Sequence, residues 1–384
     1  MLDEARRLAP RFAARAAAAD RDGAFPVDDF TDLRNGGFFG LMVPARLGGA
    51  GAGFSEYAEV AYELARGNGA TALVFNMHAS VTGALSGVSD ELAEALGLPP
   101  EALAARDDAL KEAAAGSWYA VAMSERGAGS RLSRLATTYE RDGDGYRIRG
   151  SKTFCSGAGY ADAYLIAARN ADDPSQVSQF LVPAGAGLTV EPTWDALGMR
   201  ATASHDLHVD VTVPAQALLG GVEGLALAVA QLAPHWMVAS YAAVYVGVAR
   251  AAVDAAVEHV RDRGLGRLPA VRARIGRADA AVAAARLVVA EAARRVDASP
   301  GEAETNRWVW RAKLLAGTTA AEVAASMLEA AGTSAMRRGH PLERLYRDAR
   351  AGSLQPATSD VCADWLGVDA LGGDPDTDGT APRW

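Results

Sequence analysis

Residues 122–130, AMSERGAGS, join the end of a predicted strand to a glycine-rich turn. Gly127 and Gly129 permit a positive φ and leave backbone N–H groups exposed. Such a turn can hold a phosphate or the polar edge of a ring, and the hydroxyl groups of Ser124 and Ser130 add hydrogen-bond donors. An ordinary bulged hairpin has the same pattern, so the turn needs support from its surroundings.

The turn lies in a region, 118–219, whose sequence is typical of a compact β domain. Short runs rich in β-branched and aromatic residues alternate here with turn signals. The run 141–148, RDGDGYRI, predicts a β-hairpin, because Asp-Gly favours a tight turn between alternating strands. No GxGxxG follows a strand and no GxxxxGK[ST] occurs, so the sequence argues against a Rossmann or P-loop enzyme.

Helical periodicity flanks the β region on both sides. We predict an N-terminal helical domain over 1–117, a C-terminal helical domain over 220–371 and a polar, flexible tail over 372–384. The run 224–249 carries no Asp, Glu, Lys or Arg and is long enough to cross a bilayer. Because Gln231, Pro234 and His235 interrupt it, we instead predict a buried helix that begins or kinks near Pro234.

Composition excludes several classes of protein. The 384 residues carry a net charge of −9 and are 50% hydrophobic, which favours packed cores and argues against nucleic-acid binding. Two cysteines cannot form a disulfide framework or a tetrathiolate zinc site, and the six histidines show no metal-ligand spacing. The N-terminal segment lacks the apolar run of a signal peptide, so we expect a cytoplasmic protein without a membrane anchor.

Further motifs follow the turn in a characteristic order. They are GSKTFCSG at 150–157, LGMRATAS at 197–204, and PLER with RDAR at 341–350, and PARLGG at 44–49 precedes them. This combination resembles the acyl-CoA dehydrogenase superfamily over nearly the whole chain. The resemblance implies an α+β multi-domain fold: an N-terminal α-helical domain, a central β-barrel-like domain and a C-terminal four-helix bundle. It also implies a flavin between the β domain and the bundle, in a homotetramer or homodimer whose neighbouring subunit completes the site.

The same resemblance assigns seven residues to the flavin. Those expected along or against its ring are Met123, Ser124, Phe154 and Ser156, and those expected near its phosphates, its adenosine portion or the substrate are Gly129, Ser130 and Thr358.

A second set of residues is expected to act across a subunit interface. Family members use an arginine before a Phe-Gly pair to reach the partner's pyrophosphate, and here the run is RDRGLG at 261–266, so either Arg261 or Arg263 is a candidate. The family's Gly-Gly turn near the adenine is half matched, at Gly332. FAD is therefore expected, with FMN as the alternative.

The catalytic base is where the chain departs from the family. Acyl-CoA dehydrogenases remove a proton with a glutamate, but the matching position here is Pro356, and the family's alternative position is Met237. Neither can take a proton. Related two-component flavin monooxygenases often carry a histidine where Gln355 stands and another on an N-terminal helix. We therefore predict His78 as the catalytic group, with His235 and Asp360 as weaker candidates.

Three functions remain open from the sequence. The first is a flavoenzyme that oxidises the CH–CH bond of an acyl thioester or a related small molecule, passing electrons to an electron-transfer protein. The second is a monooxygenase of the same fold that uses reduced flavin from a reductase. The third is a non-catalytic flavin-binding subunit. The sequence does not name the substrate.

Overall fold

The structure, a computed structural model, describes residues 1–375 and 377–378. The predicted tail, 372–384, therefore lies partly outside the described residues. The chain begins with six α-helices, which are α1 (Leu2–Asp22), α2 (Val27–Asn35), α3 (Phe54–Gly67), α4 (Gly69–Ser86), α5 (Asp90–Ala95) and α6 (Pro100–Ala114). Helix α4 is apolar around most of its circumference and buried along nearly its whole length, as expected for a helix enclosed between two other layers.

Seven strands follow and form one sheet. They are β1 (Tyr119–Ala122), β2 (Thr138–Asp142), β3 (Gly145–Cys155), β4 (Ala163–Asn170), β5 (Val177–Pro183), β6 (Leu188–Glu191) and β7 (His205–Pro214). The order in the sheet is β1-β4-β2-β3-β7-β6, with β5 paired to β4. The predicted hairpin is confirmed: β2 and β3 pair antiparallel, and Asp142 opposite Gly145 closes the turn.

The C-terminal part is again helical. Its elements are α7 (Ala226–Leu232), α8 (Ala239–Asp262), α9 (Pro269–Ala298), α10 (Ala303–Ala331), α11 (Pro341–Ala349), α12 (Ala351–Leu354) and α13 (Ser359–Ala370). Helical, sheet and helical regions thus occur in the predicted order, and the predicted fold class is confirmed. Helices α8, α9 and α10 pack side by side, and α8 also packs on α3.

The apolar run predicted as a buried helix lies in the interior. A 3-10 turn at Pro234–Trp236 precedes α8, so the helix begins beyond the proline as expected. The segment Pro234–Asp262 is long and apolar enough to span a membrane, but 83% of its most apolar window is buried inside the protein. Gly247 permits the close crossing with α3, because a Cβ at that position would lie 2.5 Å from the Tyr62 carbonyl oxygen.

Candidate functional site

A cavity of about 1120 Å³ lies where the three regions meet. One part, which we call the cradle, is formed by residues 123–131, 154–156, 194–204 and 350–358. The other part, the chamber, is enclosed by the apolar faces of α4, α7 and the start of α8, with Leu73, Met77, Val81, Trp236, Met237 and Tyr241 among its lining residues. The cradle carries most of the polar groups of the cavity.

The glycine-rich turn of the cradle is closed by two backbone hydrogen bonds. Glu125 N–H donates to the Gly129 carbonyl oxygen and Gly129 N–H donates to that of Glu125, each at 2.9 Å. Gly127 and Gly129 have φ values of 88° and 63°, which a residue with a Cβ rarely adopts. Met123, Ser124 and Ser130 line the cavity beside them. The turn therefore has the conformation that the sequence predicted.

A buried ion pair holds this turn from behind. The Lys152 ammonium, which is fully buried, donates to Glu125 Oε1 at 2.6 Å, and the Glu125 carboxylate also accepts from the backbone N–H of Thr137 at 3.1 Å. Burial raises the pKa of Glu125, but the Lys152 charge and these hydrogen bonds outweigh it, so the pKa lies below its ordinary value. The Glu125 carboxylate is therefore ionised and stabilises the turn, with its oxygens already hydrogen-bonded within the protein.

The opposite side of the cradle exposes an aromatic and apolar surface. Phe154 is 62% exposed and has a left-handed backbone with φ 55°, a strained conformation that concentrates at functional sites. Its ring meets that of Trp194 edge to face, with centroids 6.0 Å apart. Leu197 and Leu354, which also line the cavity, are 66% and 69% exposed. A planar apolar group would cover this surface.

A chain of hydroxyl groups fixes how Ser156 faces the cavity. Thr202 Oγ1 donates to the Met199 carbonyl oxygen at 2.9 Å, so it accepts from Ser204 Oγ at 2.7 Å. Ser204 has then used its proton, and Ser156 Oγ must donate to it at 2.9 Å. Ser156 is left with lone pairs and therefore offers an acceptor to an N–H group in the cradle.

Two arginines give the cradle positive charge. Arg131 and Arg350 line the cavity, are exposed, and form no ion pair within the described part of the chain. Planar guanidinium groups suit phosphate oxygens. The sequence analysis named neither as a candidate ligand, although Arg131 directly follows the predicted turn and Arg350 ends the 347–350 motif. An apolar platform, an acceptor for N–H and two arginines together fit a planar heterocycle that carries phosphate.

Two of the sequence motifs pack against each other at the edge of the cradle. Gly198 has no room for a side chain, because a Cβ there would lie 2.3 Å from the Arg347 carbonyl oxygen. The buried Asp348 carboxylate accepts from Met199 N–H at 2.7 Å, and Arg347 donates to the Leu197 carbonyl oxygen at 3.0 Å. The motifs therefore position the loop that presents Leu197 and Met199.

Both family positions for the catalytic base line the cavity, as Pro356 and Met237. Among the described lining residues the only carboxylate is that of the exposed Asp364, and there is no histidine, lysine or cysteine. The loop around Pro356 is held from behind by Lys313, whose buried ammonium donates to the carbonyl oxygens of Gly352, Gln355 and Ala357 at 2.9–3.0 Å. Burial lowers the pKa of Lys313 to about 8.

His78 does not reach the cavity, which argues against its predicted catalytic role. Its ring is 1% exposed, Nδ1 accepts from Tyr119 N–H at 3.0 Å, and Nε2 lies 2.8 Å from the Phe39 carbonyl oxygen. Nε2 therefore carries the proton, and burial lowers the pKa to about 4. His78 ties α4 to β1 and to the turn after α2. His235 also lies outside the cavity lining, and burial lowers its pKa to about 4.

Of the remaining predicted flavin ligands, one lines the cavity and three do not. Thr358 lines the cavity, where its side chain also caps α13 by accepting from Val361 N–H. Arg261 and Arg263 lie at the end of α8 and Gly332 at the end of α10, and none of them lines the cavity of this chain. Helix α8 is about 36 Å long at about 1.5 Å per residue. Arg261, Arg263 and Gly332 could therefore contact a flavin only in the cavity of a second copy of the chain.

Comparisons with known proteins place the chain in a family. Residues 1–100, 120–212 and 239–359 match, in order, the N-terminal, middle and C-terminal domains of acyl-CoA dehydrogenases. The chain is 33% identical to L-evernosamine nitrososynthase from a Micromonospora species (96% of this chain, 89% of the relative). It is 29% identical to the putative acyl-CoA dehydrogenase YdbM from Bacillus subtilis, over 95% of each chain.

A solved structure with a bound ligand is also similar. FMN-bound TdsC from Paenibacillus sp. A11-2, a dibenzothiophene monooxygenase, is 25% identical and superposes with a TM-score of 0.85 over 97% of each chain. Relatives of this chain thus include both dehydrogenases and flavin-dependent monooxygenases. The three matched domains and the identity to relatives along nearly its whole length confirm the predicted resemblance: this chain belongs to the acyl-CoA dehydrogenase family.

Proposed function

We propose that this protein is a flavin-dependent monooxygenase that acts on a small, largely apolar molecule with reduced flavin supplied by a reductase. The observation that carries the proposal is the absence of a well-placed base among the described residues that line the cavity. Removal of a proton from carbon needs a positioned base, and the described lining residues offer only the exposed Asp364. Oxygenation of an electron-rich substrate atom needs no carboxylate at the Pro356 or Met237 position.

The cradle fits a flavin. Phe154 and Trp194 provide an aromatic surface for the ring, Ser156 an acceptor for a ring N–H, and Arg131 and Arg350 charge for the phosphate. When bound and reduced, a flavin supplies the two electrons with which dioxygen gives one oxygen atom to the substrate and the other to water. Lys152, Lys313 and Arg347 hold the loops of the cradle through hydrogen bonds to carboxylate and carbonyl oxygens.

The chamber would bind the substrate and exclude water. Its walls come from three helices and are mainly aliphatic, so burial of an apolar molecule there is favourable. Trp236 forms part of the wall and packs against Gly83, where an added Cβ would lie 2.1 Å from its ring. Exclusion of water also limits the hydrolysis of reactive intermediates, a side reaction that would consume the reductant without forming product.

The relatives support this reading without distinguishing substrates. A nitrososynthase and a dibenzothiophene monooxygenase are similar to this chain over most of its length. The latter, TdsC, has a structure with bound FMN. The similar YdbM is named a putative acyl-CoA dehydrogenase, so oxidation of an acyl thioester is the competing function.

One anaerobic assay and one aerobic assay separate these two functions. The protein loaded with oxidised flavin should keep its visible absorbance when mixed anaerobically with acyl-CoA thioesters of several chain lengths. Addition of reduced flavin and oxygen to the protein with a panel of arenes, phenols and amines should give oxygenated product by mass spectrometry, with one labelled atom from ¹⁸O₂. Bleaching of the flavin by a thioester would overturn the proposal and establish dehydrogenation.

The oligomeric state and the choice between FAD and FMN form a second part of the proposal. We propose a homodimer or homotetramer in which Arg261 or Arg263, near Gly332, contacts the partner's FAD pyrophosphate. One of the variants Arg261→Gln and Arg263→Gln should then weaken FAD binding a fewfold and leave FMN binding unchanged, because FMN has no pyrophosphate. Equal affinities of wild type and both variants for FAD would exclude this contact, and light scattering gives the mass.

A further inference from the structure

Tyr57, Tyr241 and Tyr245 lie close together in the helical part of the protein, and their hydroxyl groups have different hydrogen-bond acceptors. Tyr57 donates to Asn76 Oδ1 and lies 3.1 Å from the Ser240 carbonyl oxygen, and Tyr245 donates to Gln355 Oε1 at 2.8 Å. The hydroxyl of Tyr241 has no oxygen or nitrogen partner within the described part of the chain. It donates instead to the thioether sulfur of Met77 at 3.9 Å.

Position separates Tyr241 from the other two. Tyr241, in the first turn of α8, lines the cavity together with Met237, which lies just before that helix, whereas Tyr57 and Tyr245 are fully buried and do not line it. A thioether is a weak acceptor, so the Tyr241 proton is available to a ligand in the chamber. Because the thioether sulfur satisfies this donor only weakly, an acceptor atom on a ligand in the chamber would be favourable.

The charge state of this group is fixed. Burial raises the pKa of Tyr241 to about 12, so the phenol keeps its proton at neutral pH and acts as a donor. The walls around it, including Leu73, Met77 and Val81, are apolar. A ligand ammonium group would meet no carboxylate among the described chamber residues and would lose its hydration without compensation.

We propose that the Tyr241 hydroxyl is the specificity-determining donor of the chamber, selecting an apolar substrate with an oxygen acceptor, such as a ketone or aryl ether, over the matching hydrocarbon and over an amine. This inference rests on the proposed function, because it takes the chamber as the substrate site. It adds the substrate class that neither the sequence motifs nor the relatives define.

Equilibrium dialysis of three bicyclic probes tests the inference. The protein is used with oxidised flavin bound and no reductant, so that no turnover occurs. The probes are 1-tetralone, tetralin and 1-aminotetralin, which share a skeleton and differ only in the group at C1. Wild type should bind the ketone best and the amine worst. Tyr241→Phe should weaken 1-tetralone binding about fivefold, the effect of one neutral hydrogen bond, with tetralin binding unchanged.

Tyr57→Phe is the matched control, because it removes a neighbouring buried hydroxyl that does not face the cavity. It should lower stability and leave the ratio of 1-tetralone to tetralin affinity unchanged. The inference is overturned if Tyr241→Phe keeps the wild-type ratio, if the amine binds best, or if neither neutral probe binds. These results concern binding alone, whereas the proposed function depends on product formed from reduced flavin and oxygen, so the two can fail separately.

Discussion

The cradle and the chamber share one cavity but are stabilised in different ways. Behind the cradle, buried charges have partners: Lys152 pairs with Glu125, and the buried Asp206 carboxylate pairs with the exposed Arg126 and accepts from the Thr153 hydroxyl. The chamber is enclosed by helix faces with few polar groups. A buried, paired network allows little change, because removing one partner leaves an unpaired charge, whereas aliphatic walls tolerate substitution. We therefore expect substitutions behind the cradle to be more disruptive than substitutions in the walls of the chamber.

The largest expected effect comes from breaking the network behind the cradle. Lys152→Met should lower the free energy of unfolding by about 3–5 kcal/mol, because it leaves the buried Glu125 carboxylate without its cation. Chemical denaturation measures this, and flavin affinity should fall in the same variant, since Glu125 closes the glycine-rich turn.

Two further variants make that result specific. Lys111→Met removes a lysine of similar length from an exposed pair with Asp108 and should change stability by about 0.5 kcal/mol or less. The double variant Glu125→Gln with Lys152→Met should recover part of the loss, because no buried charge remains. A stable single variant with normal flavin affinity would show that the cradle does not depend on this pair.

The same difference explains what could be predicted from the sequence. The cradle depends on local conformation, and residues such as Gly127 and Gly129, with their serine neighbours, carry a signal within a few positions. The chamber consists of apolar residues from distant helices, and nothing in the sequence around Tyr241 distinguishes a residue that faces a cavity from one that packs in a core. The fold order was predictable because helical and strand periodicities change abruptly near 118 and 219.

His78 shows the same limit from the opposite side. On the sequence it lies on the helix that also supplies Met77 and Ser80 to the cavity. Because α4 is enclosed on all faces, neighbouring positions point into different environments, and the one at 78 points at the backbone of Phe39 and Tyr119. Sequence spacing does not tell these faces apart when most positions are apolar or small.

The second prediction tests His78 as a structural residue. Its pKa is about 4 in the folded protein against about 6.5 when unfolded, so the unfolded chain binds more protons between these values. Stability should therefore fall as the pH drops from 6.5 to 4, by about 3 kcal/mol from His78 alone. His78→Asn keeps an acceptor for Tyr119 N–H and should flatten this pH dependence of unfolding by about one proton.

Turnover at neutral pH decides between the structural and the catalytic role of His78. His78→Asn should retain turnover within about twofold on any substrate found, since the ring does not line the cavity and general acid–base catalysis contributes about 10²–10⁴-fold when present. A loss of two orders of magnitude in a folded, flavin-loaded variant would restore His78 as the catalytic group.

A smaller effect is expected within the cradle. Ser156→Ala removes the acceptor that the Ser204 and Thr202 hydroxyl groups orient, and it should weaken flavin binding by about 1 kcal/mol, or about fivefold. Fluorescence titration with FMN and FAD measures the loss, which should be equal for both because they share the ring. Ser80→Ala is the control, since Ser80 Oγ donates to the Asn76 carbonyl oxygen on the chamber side. Equal flavin affinity in Ser156→Ala and wild type would remove Ser156 from the binding site.

The smallest expected effect separates the two competing functions at Pro356. If the chain were a dehydrogenase that had lost its base, Pro356→Glu should raise acyl-CoA oxidation by about 10²–10⁴-fold. We expect less than a tenfold gain, because the loop is shaped by its own contacts. Lys313 binds the carbonyl oxygens on both sides of Pro356, and Tyr245 holds the Gln355 side chain. These contacts fix the backbone in a geometry built around proline, so a new carboxylate would also need the correct direction over the ring. Anaerobic flavin bleaching by an acyl-CoA panel measures the gain, and a large increase would show that the chamber still accepts a thioester and lacks only its base.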